Sequence, residues 1–393
     1  MKRMKTILGC WMASSVLAAS LATGGCGGGG TVASSAEGTG GTSSSSTNAT
    51  TGPGSTTGST TGSTGSTGGT GATTGTGGTG ATTGTGGSTA AAPVALASNV
   101  AGPVDLFVDA TTVYWSETGA GAGQGAIKSV PKGSTGSASP TVLASGIDGP
   151  AGIWVDSGYV YWADHAGQYG SINRVPVAGG ATELISTSAD NATEVVVADG
   201  ALYSNWMAEG VIARLETSAI TGSAIVPPVF AAMASATHLA TDGANLIWVQ
   251  ERMTGSQPYN SIVFAPLGTT ATPSNLYNTV FNHTIDAISG DGTSVYFTES
   301  DGTNVTVRSI ALTSGNGANT TIATLSGTDS QGIGSDGMNV FYTELGAGKV
   351  VSSENTPFTV TGQQSPSRIV VEADALYWVD AATSGGSVMR LAR

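Results

Sequence analysis

Val108-Asp-Ala-Thr-Thr-Val-Tyr114-Trp115-Ser-Glu117 and Val155-Asp-Ser-Gly-Tyr-Val-Tyr161-Trp162-Ala-Asp164 are two copies of one pattern, an acid-bearing turn followed by a short aromatic strand. Five more copies follow, with Tyr203 after Asp199-Gly, Ile247-Trp248 after Asp242-Gly, Tyr296-Phe297 after Asp291-Gly, Phe341-Tyr342 after Asp336-Gly and Tyr377-Trp378 after Glu372. An Asp-Gly pair between two β-rich runs is a strong hairpin signal. From Tyr114 the equivalent positions lie 47, 42, 44, 49, 45 and 36 residues apart. Periods of this length mark four-stranded repeats arranged radially as blades.

Outward from each aromatic strand the grammar repeats. A first strand precedes the turn, as in Leu106–Val108 and Gly152–Val155. A third strand follows a variable loop, as in Ala126–Val130, Ser171–Val175 and Ser387–Leu391, and a fourth resembles Thr141–Ser145, Glu183–Ser186 or Thr321–Leu325. The chain stops at Arg393, straight after the third strand of unit seven, while Pro93-Val-Ala-Leu-Ala-Ser98 has the fourth-strand pattern ahead of unit one. The expected fold is therefore all-β, a seven-bladed β-propeller of four-stranded blades closed by an N-terminal strand at about 94–98 that completes the last blade. Closure removes the exposed edges that an open array would leave. Unit three is the least regular, since Ser204-Asn205 follows Tyr203 where Trp and a small residue are expected, so the blade number rests on it.

Composition divides the 393 residues into three parts. Residues 1–26 read as an export signal, with basic Lys2, Arg3 and Lys5, an apolar run over 7–22 and a small-residue segment. Leu21-Ala-Thr-Gly-Gly-Cys26 resembles a bacterial lipobox, which implies acylation of Cys26, and Gly27 after it implies the outer membrane or cell surface. The only other cysteine, Cys10, lies in the leader, so no disulfide or thiolate metal site is expected in the fold. Residues 27–92 are almost wholly Gly, Ser, Thr and Ala with Glu37 as the single charge, too poor in apolar surface to offset ordering entropy and expected to be a disordered tether. Residues 93–393 carry ten Lys and Arg against 25 Asp and Glu, a net charge of −15. Such a surface argues against sequence-independent nucleic-acid binding and against docking on anionic lipid. Membrane association is expected through the lipid anchor alone, and the domain as a monomer.

The runs Tyr114–Glu117, Tyr161–Asp164 and Tyr377–Asp380 resemble the YWTD repeats of low-density-lipoprotein-receptor-type propellers and of secreted bacterial propeller lipoproteins. The resemblance covers 93–393 and implies the fold; the motif marks a blade, not an activity. YWTD domains have six blades, where seven units are counted here. The carboxylates three residues after Tyr (Glu117, Asp164, Glu299, Asp380 and the equivalent Glu344) recur too regularly for catalysis and are expected to hold blades together. The turn acids Asp109, Asp156, Asp199, Asp242, Asp291 and Asp336 are expected to bond their own backbone.

Residues that break the repeat carry more information. Counting back four or five positions from each hairpin acid gives Asp105, Glu194, His238, Asp286, Gln331 and Arg368, polar and varied between units, where structural need would favour one small residue as at Gly152 and Gly332. They should converge at one mouth of the central channel and form a ligand site there. Of the three histidines, His165, His238 and His283, a catalytic reading would use His238 with Glu194 or Asp286. No nucleophile elbow, zinc helix motif or phosphate loop is present. No cofactor is evident, with calcium in the channel as the alternative. The leading expectation is a tethered non-catalytic module binding an envelope protein, glycan or surface polymer; the alternative is a channel-mouth lyase or lactonase, with or without a metal.

Overall fold

The computed structural model describes residues 92–393 apart from 137, 166–169, 188, 190, 233–234, 269–271, 314–316, 327–328, 355–356 and 383–384; the leader, the Cys26 site and the tether up to residue 91 lie outside the described residues. The described chain folds into seven four-stranded antiparallel sheets. In chain order the blades span 103–147, 150–186, 195–232, 236–278, 284–326, 333–360 and 366–392. Their first strands, Pro103–Val108, Pro150–Asp156, Val195–Ala198, Ala236–Thr241, Thr284–Gly290, Ile333–Ser335 and Pro366–Val371, each pack on the next, and the last packs on the first, so they line a closed ring. Blade 7 takes its fourth strand from the other end of the described chain. Val94–Val100 pairs antiparallel with Gly386–Ala392, from Val94 opposite Arg390 to Val100 opposite Gly386. This matches the closure expected from the strand count.

The aromatic strands supply the packing between blades. Trp115, Trp162, Trp248 and Trp378 are fully buried, as are Tyr161, Tyr203 and Tyr377. Successive strand residues face opposite sides of a sheet. Trp115 accordingly shares a cluster with Val370, Tyr377 and Val379 of blade 7, while Tyr114 of the same strand packs in the cluster of Ile153 and Trp154 of blade 2. Each such ring removes about 150–250 Å² from water.

Of the recurring carboxylates, Glu299 bonds across blades as expected, accepting the Tyr277 hydroxyl of blade 4 at 2.7 Å, but Asp164 and Asp380 do not. Asp164 accepts the Gly149 N–H at 3.0 Å, and Asp380 accepts the N–H groups of Gln364 and Ser365. These donors belong to the connection entering the same blade, not to the neighbouring sheet. Further bonds across blades come from the position after the second aromatic residue of the strand. The Ser116 hydroxyl donates to the Ala151 carbonyl at 2.7 Å, and the Thr298 hydroxyl to that of Ser330 at 3.2 Å. Asn205, which made unit three look irregular, is the strongest of these sutures. Its Oδ1 accepts the N–H groups of Thr193 and Glu194, and its amide donates to the Ala236 carbonyl of blade 4.

Candidate functional site at the channel mouth

Because strands alternate in direction, the second-to-third-strand turns and the blade-to-blade connections share one end of the ring. The first hairpins, with their turn acids, share the other. The six candidate residues lie at the first of these ends, where each inner strand begins. Strand pairing fixes which residues are equivalent. The residues opposite Trp115, Trp162, Trp248 and Trp378 are Leu106, Ile153, Leu239 and Ile369, so the residues before them are Asp105, Gly152, His238 and Arg368. Glu194 holds this place in blade 3, ahead of Val195. In blades 5 and 6 the equivalent residues are Ala287 and Gly332; Asp286 and Gln331 sit one position earlier.

Four of the six come together. Asp105, Glu194, His238 and Arg368, from blades 1, 3, 4 and 7, are each only 3% exposed. The Arg368 guanidinium pairs with Asp105 at 3.4 Å and donates to the Val104 carbonyl at 3.3 Å. Asp105 also accepts the Ile153 N–H of blade 2 at 2.8 Å, and Glu194 accepts the Leu239 N–H of blade 4. The His238 Nδ1 lies 2.7 Å from the Thr237 hydroxyl. The acids thus suture blade 1 to blade 2 and blade 3 to blade 4, and Arg368 joins the last blade to the first.

Backbone geometry sets His238 and Arg368 apart. Each is the extra residue of a β-bulge, between Thr237 and Leu239 and between Ser367 and Ile369. Each adopts a left-handed conformation, with φ of 52° and 44°. For a residue with a Cβ this costs about 1–2 kcal/mol, held in place by the surrounding contacts. A bulge re-aims a side chain, and here it brings one imidazole and one guanidinium into the same buried knot.

The electrostatics follow from one cation among several acids. Burial pushes Glu194 up to about 8, outweighing the opposing pull of Arg368 and the Leu239 N–H, while Asp105 adds to the rise. Burial, reinforced by Arg368, pushes His238 well below its usual value, so it stays neutral. With Asp105 on Arg368, Glu194 keeps its proton at neutral pH.

Asp286 and Gln331 stand outside this knot. Asp286 is the bulged residue of blade 5, accepts the Thr284 hydroxyl at 2.9 Å, and is pushed up to about 6 chiefly by burial, with Asp329 adding to it. Gln331 contributes its backbone carbonyl to the Arg368 N–H at 3.4 Å. His165 is half-buried at the end of the second strand of blade 2. His283 belongs to a group the sequence reading missed. Glu299 receives the Tyr277 hydroxyl at 2.7 Å, His283 Nδ1 at 2.8 Å and Arg308 Nε at 2.9 Å. Glu299 was the one recurring carboxylate with a histidine in the connection preceding its blade, which is the signal that could have found it. Among the described residues no three His, Cys, Asp or Glu side chains are grouped to hold a metal ion.

Blade 4 departs from the others at this same end. Its middle strands, Asn245–Thr254 and Gln257–Pro266, have ten residues each against six in blade 2. The pairs from Glu251–Asn260 to Thr254–Gln257 extend past the last partners on either side, at Gln250 and Ser261. A two-stranded ribbon therefore projects from the sheet. Met253 on it is 63% exposed, and Val280 and Phe281 in the adjoining connection are 61% and 46% exposed. Tyr259 meets Phe281 edge-on, with ring centroids 5.9 Å apart.

Solved structures share this architecture. Virginiamycin B lyase from Staphylococcus aureus aligns with a TM-score of 0.55 at 13% identity, over 77% of this chain and 98% of that one. The likeness is one of fold. The WD40 β-propeller domain of Doa1 aligns about as well, with a TM-score of 0.53 at 11% identity over 76% and 97% of the two chains. A Mycobacterium tuberculosis puromycin-hydrolyzing peptidase gives 0.54 at 13% identity, over 75% of this chain and 51% of that one. No protein-family model and no curated protein sequence matches the chain. Enzymes and a WD40 domain stand side by side at the same similarity, so the comparison carries architecture alone.

Proposed function

We propose that the chain is a non-catalytic binding propeller, exported, lipid-anchored through Cys26 and held off the membrane by its Gly/Ser/Thr tether, which recognises an envelope protein with the blade 4 ribbon. The observation that carries this reading is the exposed apolar group Met253 on the ribbon and Val280 and Phe281 in the adjoining connection, with half-buried Tyr259 against Phe281, where blade 4 outgrows the blade pattern at the channel mouth. Contiguous exposed apolar side chains rimmed by polar ones mark interaction surfaces, and aromatic residues dominate their energetics. The mouth residues support it from the other side. Asp105, Glu194 and Arg368 are engaged in bonds between blades and are almost wholly buried, which suits a closed axle better than a substrate pocket.

Site-specific photocross-linking in envelope-bearing cells tests this reading. A photoreactive residue at position 253 is expected to give discrete adducts, and one at Met338, which is 88% exposed on a first hairpin at the opposite end, none. Adducts at 338 without any at 253 would reject the ribbon as the recognition surface.

The alternative, a lyase or lactonase using His238 with Glu194, draws on the opposite directions in which those two groups are shifted, the usual arrangement of an acid and a base. Turnover of a lactone or ester panel that disappears in His238→Gln would favour it over the binding module.

A further inference from the structure

The apolar group at the blade 4 ribbon sits on rigid backbone. Val280, Phe281, Asn282 and His283 form a tight turn, closed by the His283 N–H on the Val280 carbonyl at 3.3 Å, with Asn282 left-handed at φ 63°. Turn positions favour residues such as Gly, Asn, Asp and Ser, yet the first two positions here carry large apolar side chains, 61% and 46% exposed. The turn is fastened on both sides. The Thr279 and Asn282 N–H groups donate to the Asn260 and Pro258 carbonyls at 2.9 and 2.8 Å, which zips the connection onto the ribbon, and Glu299 holds His283. Met253 lies opposite Pro258 on the other strand of the ribbon. A surface fixed in this way loses little freedom when a partner covers it.

The charges around this group are mostly of one sign. Glu251, Asp301 and Asp329 are exposed at this end of blades 4 and 5. The Asn304 and Thr303 N–H groups, with His283 nearby, hold the Asp301 carboxyl below its usual range. Between residues 236 and 332 the only Lys or Arg residues are Arg252, whose guanidinium donates to the Gln250 side chain at 2.8 Å, and Arg308, which Glu299 holds. We propose, building on the ribbon reading above, that this surface recognises a basic protein segment in which lysine or arginine flanks apolar side chains. The apolar side chains cover Met253, Val280 and Phe281, and the cations face Glu251 and Asp301. Complementary charge of this kind selects a partner and speeds its encounter. An acidic segment would bring like charges together, and an anionic lipid surface would meet the same repulsion.

Two probes test this on the purified full chain with a photoreactive residue at position 253: a short peptide alternating lysine with phenylalanine and leucine, and the same peptide with glutamine for lysine. The lysine peptide is expected to label 253 about fivefold more than the glutamine peptide, a preference that shrinks as salt screens it. Glu251→Gln together with Asp301→Asn should remove most of the preference. Asp199→Asn together with Asp374→Asn, at the hairpin end, should leave it unchanged. All four positions are exposed, so the fold is retained in both double variants. Equal labelling by the two peptides, or a preference that survives Glu251→Gln with Asp301→Asn, overturns the inference and leaves the ribbon reading standing. No labelling of 253 by either peptide also overturns it, and the ribbon reading then stands or falls on the adducts formed in cells. Adducts of 253 with lipid in phosphatidylcholine vesicles, where neither peptide is labelled, would assign the surface to a membrane instead.

Discussion

The two ends of the channel use the same residue types to opposite effect. At the mouth, Asp105 and Glu194 reach past their own sheet to the N–H groups of Ile153 and Leu239 in the following blades. At the hairpin end, Asp242, Asp291 and Asp336 bond N–H groups two and three residues ahead, inside their own turns. An acid in a tight turn finds its donors locally, because the turn presents free N–H groups to it. An acid at a strand start has no such turn, and the nearest unsatisfied donor belongs to the next blade. The mouth acids therefore make contacts of long range in the chain and the hairpin acids contacts of short range. Removing the former should disturb the ring, and removing the latter a single turn.

The largest effect that separates the ends is expected at Arg368, the one cation of the buried knot. Arg368→Met leaves Asp105 without its ion-pair partner in a site 3% exposed. Breaking a buried pair from one side costs about 3–5 kcal/mol. Denaturant unfolding should show that loss, and adding Asp105→Asn should recover part of it because the stranded charge is gone. If Arg368→Met unfolds at the wild-type midpoint, the knot contributes nothing to closure.

The knot also makes stability depend on pH, with opposite signs for two neighbours. Glu194 titrates at 4.5 when unfolded and at about 8 when folded. Between those values the folded chain holds a proton that the unfolded chain has lost, so stability falls as pH rises, by up to about 1.4 kcal/mol per unit. His238 is neutral when folded and titrates at 6.5 when unfolded, so its contribution is lost as pH drops below 6.5. Thermal midpoints should show Glu194→Gln abolishing the decline between 6.5 and 8, a difference of about 2 kcal/mol over that window. His238→Gln should abolish the loss on the acid side. Identical profiles in wild type and both variants would mean that neither group is shifted.

Much of this is legible in the sequence. Hairpin acids, aromatic strands, a spare strand ahead of unit one and a missing fourth strand in unit seven specify seven blades and their closure, because these signals are local and repeated. The mouth was legible in part. Fixed counting found Asp105, Glu194, His238 and Arg368 but placed Asp286 and Gln331 one residue away from Ala287 and Gly332, the true equivalents. Bulges add a residue without changing composition, so their register cannot be counted from outside. The Glu299 group joins Tyr277, His283 and Arg308 from three separate segments, and no spacing announces it. The ribbon left one trace, the 49-residue interval between Ile247 and Tyr296, the longest of the six.

The smallest effect is the most direct check on the contrast between the ends. Asp291 accepts the Thr293 and Ser294 N–H groups and the Tyr296 hydroxyl, each at 2.8 Å, all within its own hairpin. Asp291→Ala frees donors that lie close to solvent and can turn to water, so about 1 kcal/mol is expected to be lost. Its partners are not shared with the knot at the other end. Combined with Arg368→Met, the two losses should therefore add to within about 0.5 kcal/mol, as they do for separated sites without common partners. A coupling well above that value would show that the hairpins feel the closure of the ring, and that the two ends respond as one network.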